Sequence, residues 1–163
     1  MYKGLSRLVA VAFLAWGFSS VAMATNYFIY TGQSGAQTQI DTNHTSSWFI
    51  NASGSFNFAG AKLTMKKGSS ATASVTLKIY QGSSSSGTLL ANFTNTSSAF
   101  TGQFNVVNFV FASPIVLTAG SYYVTLSSTA PDTQSQAYFI KGYDSSFIGD
   151  DTGTPIDPSL AGL

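Results

Sequence analysis

The sequence has no cysteine, no glutamate, a single histidine (His44) and a single arginine (Arg7), and only 8% of its residues are charged. Each scarcity closes a route. Without cysteine there is no disulfide, no thiol nucleophile and no cysteine-based zinc site, and one histidine rules out a multi-histidine site. Glu, Lys and Arg are strong helix formers, so their scarcity disfavours helices. The abundant Ser, Thr, Val, Phe and Tyr favour strands and turns.

What is present begins with an export pattern. Lys3 and Arg7 form a positive n-region, Leu8 to Phe18 an apolar stretch, and Ala22-Met23-Ala24 a small-residue cleavage site. The apolar stretch is about half the roughly twenty residues a membrane helix needs. Cleavage after Ala24 is therefore expected, leaving one domain of 139 residues with no membrane span. No lipid-attachment cysteine follows the site, so the product is expected to be secreted or held at the cell surface, with the periplasm also open. The five remaining lysines (Lys62, Lys66, Lys67, Lys78, Lys141) and six aspartates give a net charge of −1, and no arginine is left. Nucleic acid, which is bound through many cationic contacts, is not an expected partner.

Apolar residues alternate with period two and show no sustained helical period. The clearest strands are Ser74 to Tyr80, Asn105 to Phe111 and Tyr122 to Ser128. Weaker ones are Tyr27 to Thr31, Ser47 to Asn51, Ala61 to Lys67, Leu89 to Thr94, Ile115 to Leu117 and Gln136 to Lys141. Between them lie turns such as Gln81 to Gly87 and Thr118-Ala119-Gly120, and Pro114 and Pro131 are placed between strands. About nine short strands spaced by such turns predict an all-β antiparallel sandwich or barrel.

From about Trp48 to Tyr143 the chain resembles a β-sandwich module of secreted bacterial proteins, the choice-of-anchor type of surface domain. The resemblance is carried by Ala61 to Lys67, Val75 to Tyr80, Gly87 to Ala91, Val107 to Phe111 and, most specifically, Ser113 to Val124 (SPIVLTAGSYYV). It implies a jelly-roll-like sandwich with structural or binding roles and brings no shared catalytic residues. Members of that family usually close the sandwich with a further strand after the segment matching Tyr143 to Asp157, whereas this sequence ends at Leu160-Ala161-Gly162-Leu163. Three explanations are open: a shortened sequence, an N-terminal strand around Tyr27 to Tyr30 filling the gap, or an open sheet edge through which subunits associate.

Chemistry has few carriers. His44 lies in a polar run, Asp41 to Ser47, and no G-x-S-x-G elbow is present. Four of the six aspartates (Asp144, Asp150, Asp151, Asp157) fall in the loop-like stretch Tyr143 to Asp157. Such residues commonly cap turns. As a functional set they would suit calcium, which takes six to eight oxygen ligands, although the spacing is not that of an EF-hand. Flat aromatic rings are the other candidates, because a sugar ring can stack on them beside polar groups. These are Trp48, Tyr80, Tyr123, Tyr138 and Tyr143. One of Trp48 and Phe49 must face outward if that segment is a strand, and alternation puts Tyr80 and Tyr123 on polar faces. The sequence thus predicts an exported, non-catalytic structural or binding module, first a surface or matrix component, with a carbohydrate-binding module using exposed aromatics and a fibre subunit assembled by strand exchange as the alternatives. Its candidate partners are an extracellular glycan or other surface proteins, and calcium is a possible cofactor.

Overall fold

The computed structural model describes residues 25–155; the segment expected to be an export signal, Asp157 and Leu160 to Leu163 lie outside them. Ten strands account for the architecture: β1 (Asn26–Tyr30), β2 (Gln37–Ile40), β3 (Ser46–Ala52), β4 (Phe56–Lys67), β5 (Val75–Gln81), β6 (Thr88–Asn95), β7 (Asn105–Leu117), β8 (Gly120–Ser128), β9 (Tyr138–Lys141) and β10 (Phe147–Gly149). Two short 3₁₀ turns, Ser97–Ala99 and Tyr143–Ser145, are the only helical pieces among the described residues.

The strands form two facing sheets. Sheet B has the order β3-β8-β5-β6, all antiparallel. Sheet A runs β10-β1-β4-β9-β2, with β7 along the other side of β4. Six strands make one folded antiparallel ribbon: β3 pairs with β8, β4 with β7 and β5 with β6, falling in turn on sheets B, A and B. This nesting gives the sandwich its jelly-roll character. One pair departs from the antiparallel expectation, since β1 runs parallel to β4 before pairing antiparallel with β10. The N-terminal strand is thus an interior member of sheet A.

Alternation explains the core. Trp48 and Ile50 from β3, Leu77 and Ile79 from β5, and Val124 and Leu126 from β8 point inward from sheet B. They meet Leu63, Met65, Phe109 and Ile140 from sheet A in one buried cluster. Such burial contributes roughly 1.5–3 kcal/mol per large side chain, which lets the domain dispense with disulfides.

The two segments separated by Pro114 in the sequence are one strand here, interrupted by a bulge. Phe58 pairs with Ile115 and Gly60 with Val110, so Phe111 to Pro114 bow out opposite Ala59. Pro114 is exposed there, and its missing N–H costs no ladder bond. Gly60 is dictated by this bulge: its φ is +138°, and a Cβ would lie 1.9 Å from the Phe109 carbonyl oxygen.

Candidate functional site

The outer face of sheet B carries the site. Because side chains alternate and the register is fixed, Phe49 of β3 stands opposite Tyr123 of β8, and Tyr123 opposite Tyr80 of β5. Tyr80 in turn pairs with Leu89 of β6, where a bulge realigns the strands. Four adjacent strands thereby present one row, Phe49–Tyr123–Tyr80–Leu89, across the sheet. Phe49 is 47% and Leu89 45% exposed, and both tyrosines are half-buried. The Phe49 and Tyr123 rings lie 5.0 Å apart at 44°.

Sheet A and the loop before β7 also carry aromatic rings, and lysines lie over four of them, Phe28, Tyr30, Phe104 and Phe139, while Phe147 is stacked on Tyr30 at 5.2 Å. Lys62 lies 4.5 Å from the Phe28 ring centre and 5.6 Å from that of Tyr30. Lys66 reaches Phe104 and Phe139, and Lys141 also reaches Phe104. Among the described residues no lysine lies over Phe49, Tyr123 or Tyr80. Among the described residues the sheet B row is the aromatic surface that runs across several strands without a lysine over it.

At its β3 end the row meets a groove of about 340 Å³, lined by Ser47, Trp48, Phe49, Tyr143, Asp144 and Ser146. Its far wall is the 3₁₀ turn after β9, entered through Gly142 in the left-handed conformation (φ +66°). A Cβ there would stand 2.4 Å from the Gly32 carbonyl oxygen, so glycine is needed to bring the turn this close. The turn is tied to β3: Tyr143 Oη donates to the Ser47 carbonyl, Trp48 Nε1 donates to Ser146 Oγ at 3.0 Å, and Ser146 Oγ donates to the Tyr143 carbonyl at 2.6 Å. Asp144 is exposed at the rim, with no ion-pair partner among the described residues. A second groove on this sheet, about 190 Å³, is lined by Ser74, Thr76, Lys78, Ser127, Ser128 and Thr129 and has no aromatic wall.

The candidate aromatics therefore separate. Tyr80 and Tyr123 are neighbours on the outer face, and Tyr143 lines the groove. Trp48 is a core residue, 4% exposed, that also lines the groove. Tyr138 does not belong with them: it is wholly buried, its hydroxyl donates to the Ala73 carbonyl, and burial pushes its phenol above the ordinary range. Phe49 and Leu89 were not among the candidates. Alternation left Phe49 and Trp48 competing for the outer face, and the larger ring went inside.

Of the acidic stretch, the three described aspartates Asp144, Asp150 and Asp151 do not form a group that could hold a metal ion. Asp150 caps its own turn, its Oδ1 accepting from Thr152 N at 2.9 Å, Thr152 Oγ1 at 2.7 Å and Thr154 N at 3.0 Å; these bonds hold its carboxyl below the usual range. Asp151 pairs with Lys62 at 2.8 Å, and Asp144 faces the groove. Among the described residues, the one group of three acid or imidazole side chains that could hold a metal ion is Asp41, His44 and Asp132, with ligand atoms within 4.8 Å of one another.

That group joins two loops. Asp41 is completely buried. Its Oδ1 accepts from the backbone of Asn43 at 2.7 Å and of His44 at 2.9 Å, its Oδ2 accepts from Gln39 Nε2 at 2.6 Å, and His44 Nδ1 lies 2.9 Å from Oδ1. Gln39 and Asn43 each also donate to Asp132 at 3.0 Å, across from the loop between β8 and β9. Burial pushes the Asp41 carboxyl up, but the bonds from Asn43, Gln39 and His44 outweigh it and hold the group below the ordinary carboxylate range. Every carboxylate oxygen of the pair faces an N–H donor, so the arrangement acts as a clasp between loops.

The chain matches no protein-family model and no curated protein. No helix among the described residues is long and apolar enough to cross a membrane.

Proposed function

We propose that this protein is a non-catalytic binding module of the choice-of-anchor kind, exported to the cell surface or beyond, and that it holds an extracellular glycan on the outer face of sheet B. The bare row Phe49–Tyr123–Tyr80 carries this reading. Rings aligned across strands, uncovered by cations and flanked by Ser121, Asn51 and Thr125, provide an apolar platform with hydroxyl and amide groups beside it. The groove supports a binding role over a catalytic one. Among the described residues Asp144 lines it without a second carboxylate or an imidazole, the pair that glycoside hydrolysis requires. A glycan array probed with the exported chain and with Tyr80→Ala and Tyr123→Ala tests the reading. Binding by the parent that both variants lose is the expected result; no binding to any glycan refutes it.

Calcium enters as a second element, favoured by the gathering of Asp41 and Asp132. Calcium prefers oxygen to imidazole. The site it would use consists of the two carboxylates with the Gln39 and Asn43 amides turned to present their carbonyl oxygens. A melting midpoint higher in calcium than in chelator is the expected outcome, and identical midpoints leave the group as a clasp alone.

A further inference from the structure

We infer that the bare row and the groove beside it are parts of one track, and that the track takes an extended, uncharged glycan lying across the strands with one chain end against Asp144. The inference rests on the glycan-binding reading above and adds the ligand's charge class, direction and end contact.

Phe49 belongs to both features. On one side its in-register neighbours Tyr123, Tyr80 and Leu89 continue across the sheet, and on the other it lines the groove with Tyr143, Asp144 and Ser146. Neighbouring strands lie about 4.8 Å apart, so the four-strand row runs about 14 Å. That spacing is close to the length of one sugar ring in an extended β-linked chain. A ligand perpendicular to the strands would therefore meet a new apolar side chain with each sugar. A ligand along the strands would leave the row after one ring, since Thr125 follows Tyr123 and Lys78 precedes Tyr80 on the same face.

Charge narrows the class. Among the described residues neither the row nor the groove contains a cation, and Asp144 is their one charged group. Lys78 sits one row away beside Thr125 and lines the separate polar groove. A carboxylate without an ion-pair partner can accept hydrogen bonds from two neighbouring sugar hydroxyls. It repels a uronate or sulfate at the same place. The groove ends against the 3₁₀ turn Tyr143–Ser145, which makes it a stop for the chain end.

The test is isothermal titration of the exported chain with β-1,4-linked glucose and N-acetylglucosamine oligomers of increasing length, and with oligogalacturonate as the anionic counterpart. Affinity for the uncharged oligomers should rise with each added sugar up to about four. Tyr123→Ala should weaken all of them at least tenfold. Asp144→Asn, at an exposed position with an unchanged melt, should weaken them about fivefold and reduce the discrimination against oligogalacturonate. If Asp144→Asn alters neither, while Tyr123→Ala still loses binding, the groove contact is wrong and the row alone binds. Affinity that is flat from the disaccharide onward overturns the track. No binding of any oligomer by the parent chain overturns the glycan reading itself, and this inference with it.

Discussion

Asp41→Asn is the sharpest probe of how the loops at one end of the sandwich are held. The asparagine matches the aspartate in shape, so packing around this completely buried side chain is unchanged. Its amide offers one acceptor oxygen and two N–H groups where the carboxylate offers two acceptors. Asn43 N, His44 N and the Gln39 amide all donate to Asp41, so at least one of these donors is left facing an N–H. Losing a charge-assisted bond and stranding a partly buried donor costs about 2–3 kcal/mol. For a domain of this size each kcal/mol lowers the midpoint by roughly 3–5 °C, so the variant should melt about 6–15 °C lower at neutral pH. The pH dependence gives an independent check. The Asp41 carboxyl is held below its ordinary value in the folded protein, so its contribution is fully present above the unfolded-state value and is lost as pH falls through the lower, folded one. The gap between parent and variant should stay constant on acidification to the ordinary aspartate range and close only below it. Melts followed by circular dichroism across pH measure both. Equal midpoints at neutral pH, or a gap that closes well above the aspartate range, would refute the clasp.

Gly60→Ala should destabilise by about 3 kcal/mol or more, since the Cβ would collide with the Phe109 carbonyl and the backbone would be strained; urea unfolding reads this directly. Trp48 is the one tryptophan in residues 25–163 and is 4% exposed, so tryptophan emission of a chain lacking residues 1–24 should be blue-shifted and resist quenching by iodide. Trp48→Phe, which drops the bond to Ser146, should cost about 2 kcal/mol in the same unfolding experiment. Phe49→Ala should cost about 1 kcal/mol or less, because its ring is half-exposed and contributes mainly a cross-strand contact to Tyr123. A large drop in its midpoint would instead place the ring in the core.

The strands were legible wherever one face is apolar and the other polar. Val75, Leu77 and Ile79 alternate cleanly with Thr76, Lys78 and Tyr80, and the ladder follows that alternation. β2 (Gln37–Ile40) and β10 (Phe147–Gly149) escaped because their strand character comes from partners far along the chain, β9 and β1, and not from local pattern. In sequence Pro114 looks like a break between strands, because a bulge and a turn look alike there; only the partner strand, with its Phe58 to Gly60 shift opposite, distinguishes them. Tyr80 and Tyr123 could be placed on outer faces from period two alone. That they stand side by side with Phe49 depends on register, which the turns and bulges set. Asp41 and His44 meet within a single turn, whereas Asp132 is brought to them by loop docking, for which no local spacing gives a sign.

The nested ribbon also determines how the chain can reach its folded state. β5 and β6 are joined by a short Gly/Ser loop, so their hairpin can close at little entropic cost. Once it has formed, β7 is delivered beside β4, and that pair in turn delivers β8 beside β3. Contacts such as Trp48 with Val124, far apart along the chain, are thereby reached through a series of short closures. Pulse-labelled hydrogen exchange should find the amides of β5 and β6 protected first and those of β1 and β10 last. The seam between β1 and β10 joins the two ends of the described chain, so it can close only after the rest of the ribbon has wound up.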